Sequence, residues 1–363
     1  AAAERPVFVA GRGGRGARDQ LRELAAQAGA LVATSAVAKG LFNGEDFNLG
    51  ISGGFSTPLV AELISGADLV VGFGCALNMW TMRHGTLIGS AAKVVQVDLE
   101  DSALGANRPV DLGVLGDSAE TAAAVLEVLR GRGAAETKYR TEEVRQRIKA
   151  EARWQDVPVE DLSTADDGGL GRIDPRRLSK RLDTLLPAER IVSVDSGNFM
   201  GYPSQYLEVP DEFGFCFTQA FQSIGLGLST AIGAGIARPD RLPVLGTGDG
   251  GFLMGISELE TAVRLGLPLV CIVYNDAAYG AEVHHFRAAG GQQPDMSTVT
   301  FPDTDIAAIA RGYGAEGVTV RAEADLAGVR AWLEGPRTAP LVIDAKIASD
   351  GGAWWLAEAF KGH

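Results

Sequence analysis

Three polar residues follow apolar, strand-like runs in the second half of the chain. Asp195 ends the run IVSVD, Asp249 follows PVLGTG, and Asn275 ends LVCIVYN. If these strands are neighbours in a parallel sheet, the three side chains converge at the edge where ligands of open α/β sheets bind. Carboxylate and amide oxygens suit Mg²⁺, which takes its remaining ligands from phosphate and water. The alternative is that these residues only cap helices and turns.

Glycines surround Asp249, at positions Gly248, Gly250 and Gly251. Because glycine has no side chain, this stretch of backbone leaves room for a bulky anion. Together with the polar residues, the pattern predicts a site for a hard cation that bridges the protein to phosphate oxygens.

The elements that must hold this site alternate between apolar strand-like runs and Ala/Leu-rich helical segments. This alternation predicts an α/β protein with two doubly wound, mostly parallel-sheet, Rossmann-like domains. The charged, glycine-containing stretch between them predicts a helical linker that ends in a loop. The expected boundaries are 1–135 and 171–363 for the domains and 136–170 for the linker. Strands are predicted at 6–10, 30–33, 68–72 and 93–98 in the first domain and at 190–194, 242–246, 269–274 and 341–345 in the second.

Composition restricts the class of protein. The chain has 363 residues, enough for two cores, and carries a formal net charge of -13. A surface of this charge repels nucleic acid and anionic membranes, and no apolar run reaches the roughly 20 residues that span a bilayer. The three cysteines are widely spaced. This spacing argues against a disulfide framework or a zinc site and favours a reducing cytoplasm.

The run from Gly248 to Asp276, GDGGFLMGISELETAVRLGLPLVCIVYND, resembles the thiamine-diphosphate motif, which begins Gly-Asp-Gly and ends in Asn after a helix and a strand. The likeness covers nearly the whole chain and is strongest to the acetolactate synthase, pyruvate oxidase and decarboxylase branch of this family. Residues 1–135 resemble its central domain, and residues 171–363 resemble its diphosphate-binding domain.

The resemblance implies thiamine diphosphate and Mg²⁺ as cofactors. The implied metal ligands are the side chains of Asp249 and Asn275 and the backbone carbonyl of Ala277. Ile224 is implied to hold the cofactor in its bent conformation, which gives it a catalytic role. Further contacts to the cofactor are implied for Gly197, Asn198, Phe199, Ile224, Gly248, Gly250, Gly251 and Tyr279.

For the reaction, the resemblance implies decarboxylation of a 2-oxo acid with carboligation, as in acetolactate synthase. A simple 2-oxo acid decarboxylase and a non-catalytic cofactor-binding or scaffold subunit stay open as alternatives. The segment YGAEVHHFR after the metal residues predicts a short helix on which Glu282 and His285 share a face, whereas His284 points elsewhere. Such a pair is a candidate for proton transfer near neutral pH. A solvated helix face is the alternative.

The family's N-terminal pyrimidine-binding domain, which carries a catalytic Glu, has no counterpart in this sequence, which begins AAAERP without Met. We therefore expect another chain, or a fragment of the same gene product, to supply that domain in a homo- or hetero-oligomer. Until it binds, the surface formed by Asn198, Ile224, Gly250 and Tyr279 would be apolar and uncovered.

Two further patterns carry weaker predictions. GRGGRG at 11–16 fits GxGxxG, but no acidic residue lies about 20 residues beyond it, so FAD or another nucleotide in the central domain is not favoured. The run 50–54 fits GxSxG, but the stretch before it has the composition of a polar loop. Because a nucleophile elbow follows a strand, a hydrolase is not favoured either.

Overall fold

A computed structural model describes residues 1–132, 139–164, 170–221, 223–288, 294–354 and 356. The chain divides into two compact units, one of residues 1–158 with 211–213 and one of residues 159–210 with 214–363. Within the described ranges, each unit contains one sheet of six strands, and all strand pairs in both sheets are parallel. The expected α/β class with two doubly wound, parallel-sheet domains is confirmed.

The first sheet has the strand order β3-β2-β1-β4-β5-β6. Its strands are β1 (Pro6–Ala10), β2 (Leu31–Thr34), β3 (Asn48–Ile51), β4 (Leu69–Phe73), β5 (Lys93–Asp98) and β6 (Leu112–Leu115). The helices of this unit are α1 (Arg18–Ala28), α2 (Pro58–Ser65), α3 (Met79–Met82), α4 (Ser118–Gly131) and α5 (Glu142–Glu151).

Alternate residues of the first sheet pack into two cores. In β1, Val7 and Val9 lie in one buried cluster, and Phe8 and Ala10 lie in the other. This follows from the two-residue period of a strand, and it explains why central strands covered on both faces are apolar throughout. Ile148 of α5 is buried in the first of these clusters, so this part of the segment expected as a linker packs on the first unit. Residues 136–138 and 165–169 of that segment lie outside the described residues.

The second sheet has the strand order β11-β12-β10-β9-β7-β8. Its strands are β7 (Arg190–Val194), β8 (Phe215–Phe217), β9 (Leu242–Gly248), β10 (Val270–Asn275), β11 (Glu316–Val320) and β12 (Leu341–Lys346). The helices are α6 (Pro175–Leu185), α7 (Gly201–Tyr206), α8 (Gly227–Ala237), α9 (Asp249–Met254), α10 (Glu258–Arg264), α11 (Gly280–Ala288), α12 (Ile306–Gly312) and α13 (Ala327–Glu334).

Local signals set several helix starts. Thr57 accepts a hydrogen bond from the Val60 N–H ahead of α2, and Asp174 accepts one from the Arg176 N–H ahead of α6. In both helices proline occupies the first turn, where its missing N–H removes no helical hydrogen bond. Among the described helices, none is both long and apolar enough to cross a membrane.

Candidate cofactor and metal site

Three neighbouring strands of the second sheet, β10, β9 and β7, end at one edge, where a narrow cleft lies. The residues that line it are 196–199 after β7, 248–251 after β9, Asp276 and 278–282 after β10, together with Ile224, Tyr274 and Ile347. Most residues that the sequence assigned to the cofactor are therefore brought together here. Of the assigned residues, all of which the structure describes, Asn275, Ala277 and His285 do not line the cleft.

Asp195 ties the strand ends together beneath the cleft. Its buried carboxylate accepts hydrogen bonds from the Gly225 N–H at 3.1 Å and from the Thr247 hydroxyl at 3.2 Å. Burial raises the pKa of this carboxyl group. Asp195 therefore joins β7, β9 and the loop before α8. Of the three strand ends whose polar residues were expected to converge, only those of β9 and β10 bring a carboxyl group into the cleft.

The floor of the cleft is backbone without side chains. A Cβ atom at Gly251 would lie 2.7 Å from Asp195 Oδ2 and 3.2 Å from Ile224 Cγ2. A Cβ atom at Gly250 would clash with the ring of Tyr279. A side chain at either position would displace its neighbours, so glycine lets Asp195, Ile224 and Tyr279 pack directly against the main chain that lines the cleft.

Gly251→Ala is expected to lower the free energy of unfolding by ~1–3 kcal/mol, because the new methyl group overpacks the contact with Asp195. Gly233→Ala is the matched control, since Gly233 lies inside α8 with no atom within 4 Å of its Cβ position. Alanine favours helix over glycine, so the control is expected to stabilise by up to ~1 kcal/mol. Urea unfolding compares the two variants, and equal midpoints would contradict the packing argument.

Two carboxyl groups meet in the cleft, one after β9 and one after β10. The buried Asp249 carboxyl accepts a hydrogen bond from the Ala278 N–H at 3.1 Å through Oδ2, while its Oδ1 has no partner among the described residues. Asp276 lines the same cleft and lies close enough to Asp249 for the two carboxyl groups to interact. Burial raises the pKa of both carboxyl groups, and the charge of Asp249 raises that of Asp276 further. Both can be ionised together at little cost only beside a cation.

Asn275, the expected amide ligand, faces away from the cleft. Its Nδ2 donates to Asp344 Oδ1 at 2.8 Å, and its Oδ1 accepts a hydrogen bond from the Ala277 N–H at 3.1 Å. Successive side chains of an extended strand point to opposite sides, so the next residue, Asp276, is the one that faces Asp249. The structure therefore favours Asp249 and Asp276 as side-chain ligands of a cation, where Asp249 and Asn275 were expected.

Several contacts fix the turn after β10. Ala277 has a φ of 59°, in the left-handed region that residues other than glycine adopt infrequently. Its carbonyl oxygen accepts a hydrogen bond from the Phe301 N–H at 2.7 Å, and the Tyr279 N–H donates to the Val299 carbonyl at 2.9 Å. Because Phe301 uses one lone pair of the Ala277 carbonyl, only the second is left for a cation.

A row of charges supports Asn275 from inside the protein. Asp344 is fully buried, and its Oδ2 lies 3.2 Å from the Nζ of Lys346, which also lies 2.6 Å from Asp303. Arg321 pairs with Asp303 at 2.9 Å. The signs alternate along the row, so every charge lies beside an opposite one and the formal charges sum to zero. The row holds the Asn275 amide in one orientation without adding net charge under the cleft.

The site suits a cation that finds most of its ligands outside the protein. Over the described ranges, no group of three or more His, Cys, Asp or Glu residues is placed to hold a metal ion. Mg²⁺ at phosphate sites is typically bound by one or two carboxylates together with phosphate oxygens and waters. The unpartnered Asp249 Oδ1 next to Asp276, beside bare glycine backbone, fits this mode of binding.

Helix α11 presents Glu282, rather than His285, to the cleft. The ring of His285 contacts Phe286, with 5.4 Å between the ring centroids. His284 packs against Gly352, and burial lowers the pKa of its imidazole. Of the expected pair, Glu282 therefore lines the cleft and His285 does not.

Comparison with known proteins identifies the family. The family model described as thiamine pyrophosphate enzyme, C-terminal TPP binding domain matches residues 195–345, and the one described as thiamine pyrophosphate enzyme, central domain matches residues 1–125. The chain belongs to the thiamine pyrophosphate enzymes. Thiamine pyrophosphate and thiamine diphosphate are the same cofactor, so the resemblance seen in the motif is confirmed.

Relatives in this family are similar over most of the chain. A sulfoacetaldehyde acetyltransferase of Alcaligenes xylosoxydans xylosoxydans is 27% identical over 346 residues, which cover 87% of this chain and 55% of the relative. An acetolactate synthase large subunit of Parasynechococcus marenigrum is 28% identical over 321 residues, covering 88% and 50%. An acetolactate synthase of Mycobacterium leprae is 25% identical over 371 residues, covering 98% and 57%. The chain spans about half the length of the curated relatives it matches.

In the part that matches the central domain of thiamine pyrophosphate enzymes, the glycine-rich loop at 11–16 packs against the end of β4. The N–H groups of Gly11 and Gly13 donate to the carbonyls of Phe73 and Gly74 at 2.9 and 3.1 Å. A Cβ atom at Gly14 would lie 2.9 Å from the Phe73 carbonyl oxygen. This close approach accounts for Gly11, Gly13 and Gly14 without a nucleotide, whereas nothing lies within 4 Å of the Cβ position of Gly16.

The GxSxG pattern of the same domain follows a strand, because β3 ends at Ile51 where the composition indicated a polar loop. Ser52 is buried, and its hydroxyl donates to the Thr81 carbonyl at 2.8 Å. The hydroxyl is used in packing rather than exposed on a strained turn, so the pattern is not a nucleophile elbow.

Proposed function

We propose that the protein is part of a thiamine diphosphate- and Mg²⁺-dependent enzyme that decarboxylates a 2-oxo acid and joins the remaining fragment to a second carbonyl compound, in an acetolactate synthase-like carboligation. The observation that supports this most is the Asp249–Asp276 pair beside bare glycine backbone. Such a site suits a diphosphate that arrives with a cation. The relatives named acetolactate synthase support the choice of reaction.

In this proposal, bound thiamine diphosphate would supply the carbanion and the electron sink that decarboxylation of a 2-oxo acid needs. Asp249 and Asp276 hold the Mg²⁺ ion. Ile224, which reaches over Gly251, fills the space beside the cofactor and keeps water from it. Glu282, which also lines the cleft and holds no metal ion in this proposal, exchanges a proton with the substrate.

The test is product analysis with the native assembly. We expect CO₂ release from pyruvate or an aryl 2-oxo acid to require both thiamine diphosphate and Mg²⁺, and a carboligation product to form when an acceptor carbonyl compound is added. Sulfoacetaldehyde, which is named in one relative, is included among the acceptors. Absence of CO₂ from every 2-oxo acid, in protein that has bound both cofactors, would refute the proposal and support the scaffold alternative.

A simple 2-oxo acid decarboxylase is the second candidate, and the position of Glu282 in the cleft favours it. A carboxyl group there can protonate the carbon that loses CO₂, which yields an aldehyde. This candidate predicts the aldehyde as the product whether or not an acceptor is present. Glu282→Gln would then slow aldehyde release more than CO₂ release, because only the protonation step needs the acid.

We also propose that a pyrimidine-binding domain from outside residues 1–363 completes the site. Three large apolar side chains lie on or next to the loop that carries Ile224, and all three are exposed: Phe221 at 78%, Met254 at 54% and Leu226 at 38%. Exposed apolar patches beside a cleft mark surfaces that another protein covers. The relatives are about twice as long as this chain, which supports such a domain.

Intact mass spectrometry and the mass in solution of natively isolated protein test this second proposal. We expect either a second polypeptide or a longer chain, in an oligomer. A lone species of 38.0 kDa that is fully active would contradict it.

A further inference from the structure

The chain after β12 returns toward the cofactor cleft. Residues 348–353, which we call the post-β12 segment, are anchored by several contacts. Asp350 accepts a hydrogen bond from the Tyr202 hydroxyl at 2.6 Å. Gly352 packs so closely against α11 that a Cβ atom there would lie 2.6 Å from the Cγ atom of His284. The segment is therefore held between α7 and α11.

The last residue of this segment contacts the cleft directly. The Ala353 N–H donates a hydrogen bond to Asn198 Oδ1 at 2.9 Å, and Asn198 is one of the residues that line the cleft. A backbone N–H can only donate, so it determines which end of the Asn198 amide is the oxygen. The other end, the NH₂ group, makes no hydrogen bond within the part of the chain that the structure describes.

We propose that the post-β12 segment orients Asn198 as a hydrogen-bond donor to the diphosphate, which makes Ala353 and Gly352 positioning residues of the cofactor site. This inference rests on the proposed function, because it takes a diphosphate as the ligand. Phosphate oxygens only accept hydrogen bonds, so the NH₂ group of Asn198 binds them and its carbonyl oxygen repels them. If the Ala353 N–H moves away, the amide turns freely and the site loses a preset donor.

Adjacent glycines provide the matched test. Gly351 and Gly352 both have positive φ angles, 85° and 96°, so alanine strains the backbone at either position. Only at Gly352 does the new methyl group meet His284; nothing lies within 4 Å of the corresponding position at Gly351. Calorimetric titration of Mg²⁺-thiamine diphosphate into the native assembly is expected to give a Kd about 10-fold higher for Gly352→Ala and within about 2-fold of the unmutated value for Gly351→Ala.

Two further variants separate positioning from general damage. In the double variant Gly352→Ala/His284→Ala the ring that the methyl group meets is gone, so the affinity is expected to return to within about 3-fold of the unmutated protein. Asn198→Asp keeps an acceptor for the Ala353 N–H but presents a carboxylate oxygen to the diphosphate. It is expected to weaken binding by about 100-fold while hydrogen exchange at Ala353 stays slow.

The outcomes distinguish the two proposals. If the unmutated protein does not bind Mg²⁺-thiamine diphosphate, the proposed function fails and this inference fails with it. If the unmutated protein binds but Gly352→Ala equals Gly351→Ala, or the double variant is not rescued, the inference alone is overturned. Slow exchange at Ala353 in the unmutated protein, faster exchange in Gly352→Ala and rescue in the double variant support it.

Discussion

Asp249→Asn is expected to weaken Mg²⁺-dependent binding of thiamine diphosphate by about 100-fold or more. Loss of a group that only supports a metal ligand costs 10- to 100-fold in affinity, so loss of a charged ligand is expected to reach at least the upper end. Asparagine has the same shape and its Oδ1 can still accept the Ala278 N–H that Asp249 Oδ2 accepts. The substitution therefore removes the charge and leaves the turn after β10 in place.

Asp240→Asn is the control for this prediction. Asp240 is exposed and pairs with Arg238 at 2.7 Å, so its replacement changes the net charge by the same amount with little effect on binding. Isothermal titration of both variants, with and without Mg²⁺, provides the comparison. Similar affinities for the two variants in the presence of Mg²⁺ would refute the assignment of Asp249 as a metal ligand.

Two adjacent substitutions are expected to change stability in opposite directions. In the cofactor-free protein, Asp276→Asn removes the repulsion with Asp249 and is expected to raise the free energy of unfolding by ~1–2 kcal/mol. Asn275→Asp replaces the donor to Asp344 with another carboxylate in a fully buried position, so that three acids would face the two cations Lys346 and Arg321. It is expected to destabilise by ~3–5 kcal/mol.

Thermal unfolding in a chelator such as EDTA measures both effects, at roughly 2–4 °C per kcal/mol for a unit of about 200 residues. With Mg²⁺ and cofactor added, the unmutated protein is expected to unfold at a higher temperature than Asp276→Asn, because only the unmutated protein keeps both carboxylates for the cation. If Asn275→Asp is as stable as the unmutated protein, the buried row of charges does not hold Asn275 as described.

The sequence predicted the four inner strands of each sheet and missed the outer ones. In the described chain, all four missed strands, β3, β6, β8 and β11, are edge strands. Inner strands are covered on both faces and need continuous apolar runs, which are easily recognised. An edge strand such as β6 is largely exposed and is only four residues long. Its pairing depends on the neighbouring strand rather than on its own side chains, so its sequence carries little signal.

The motif located the site, but not the direction in which each side chain points. The resemblance ended at Asn275, and the structure turns that amide toward Asp344 and places Asp276 in the cleft. The two-residue period of β10 could have indicated that consecutive residues differ in direction. The partner that decides which one faces inward, Asp344, lies 69 residues later, and no local pattern relates the two. The same limit applies to Glu282 and His285, whose helix is oriented by distant contacts.

The paired acids after β9 and β10 also have a kinetic consequence. A diphosphate that diffuses alone toward this cleft meets a protein of net charge -13, with two of its carboxyl groups at the point of capture. Like charges slow such an encounter, and added salt screens the repulsion over distances beyond roughly 10 Å. The same acids attract a divalent ion. The order of arrival is therefore set by electrostatics: the ion enters first or together with the diphosphate, and the association rate follows the concentration of the ion as well as that of the cofactor.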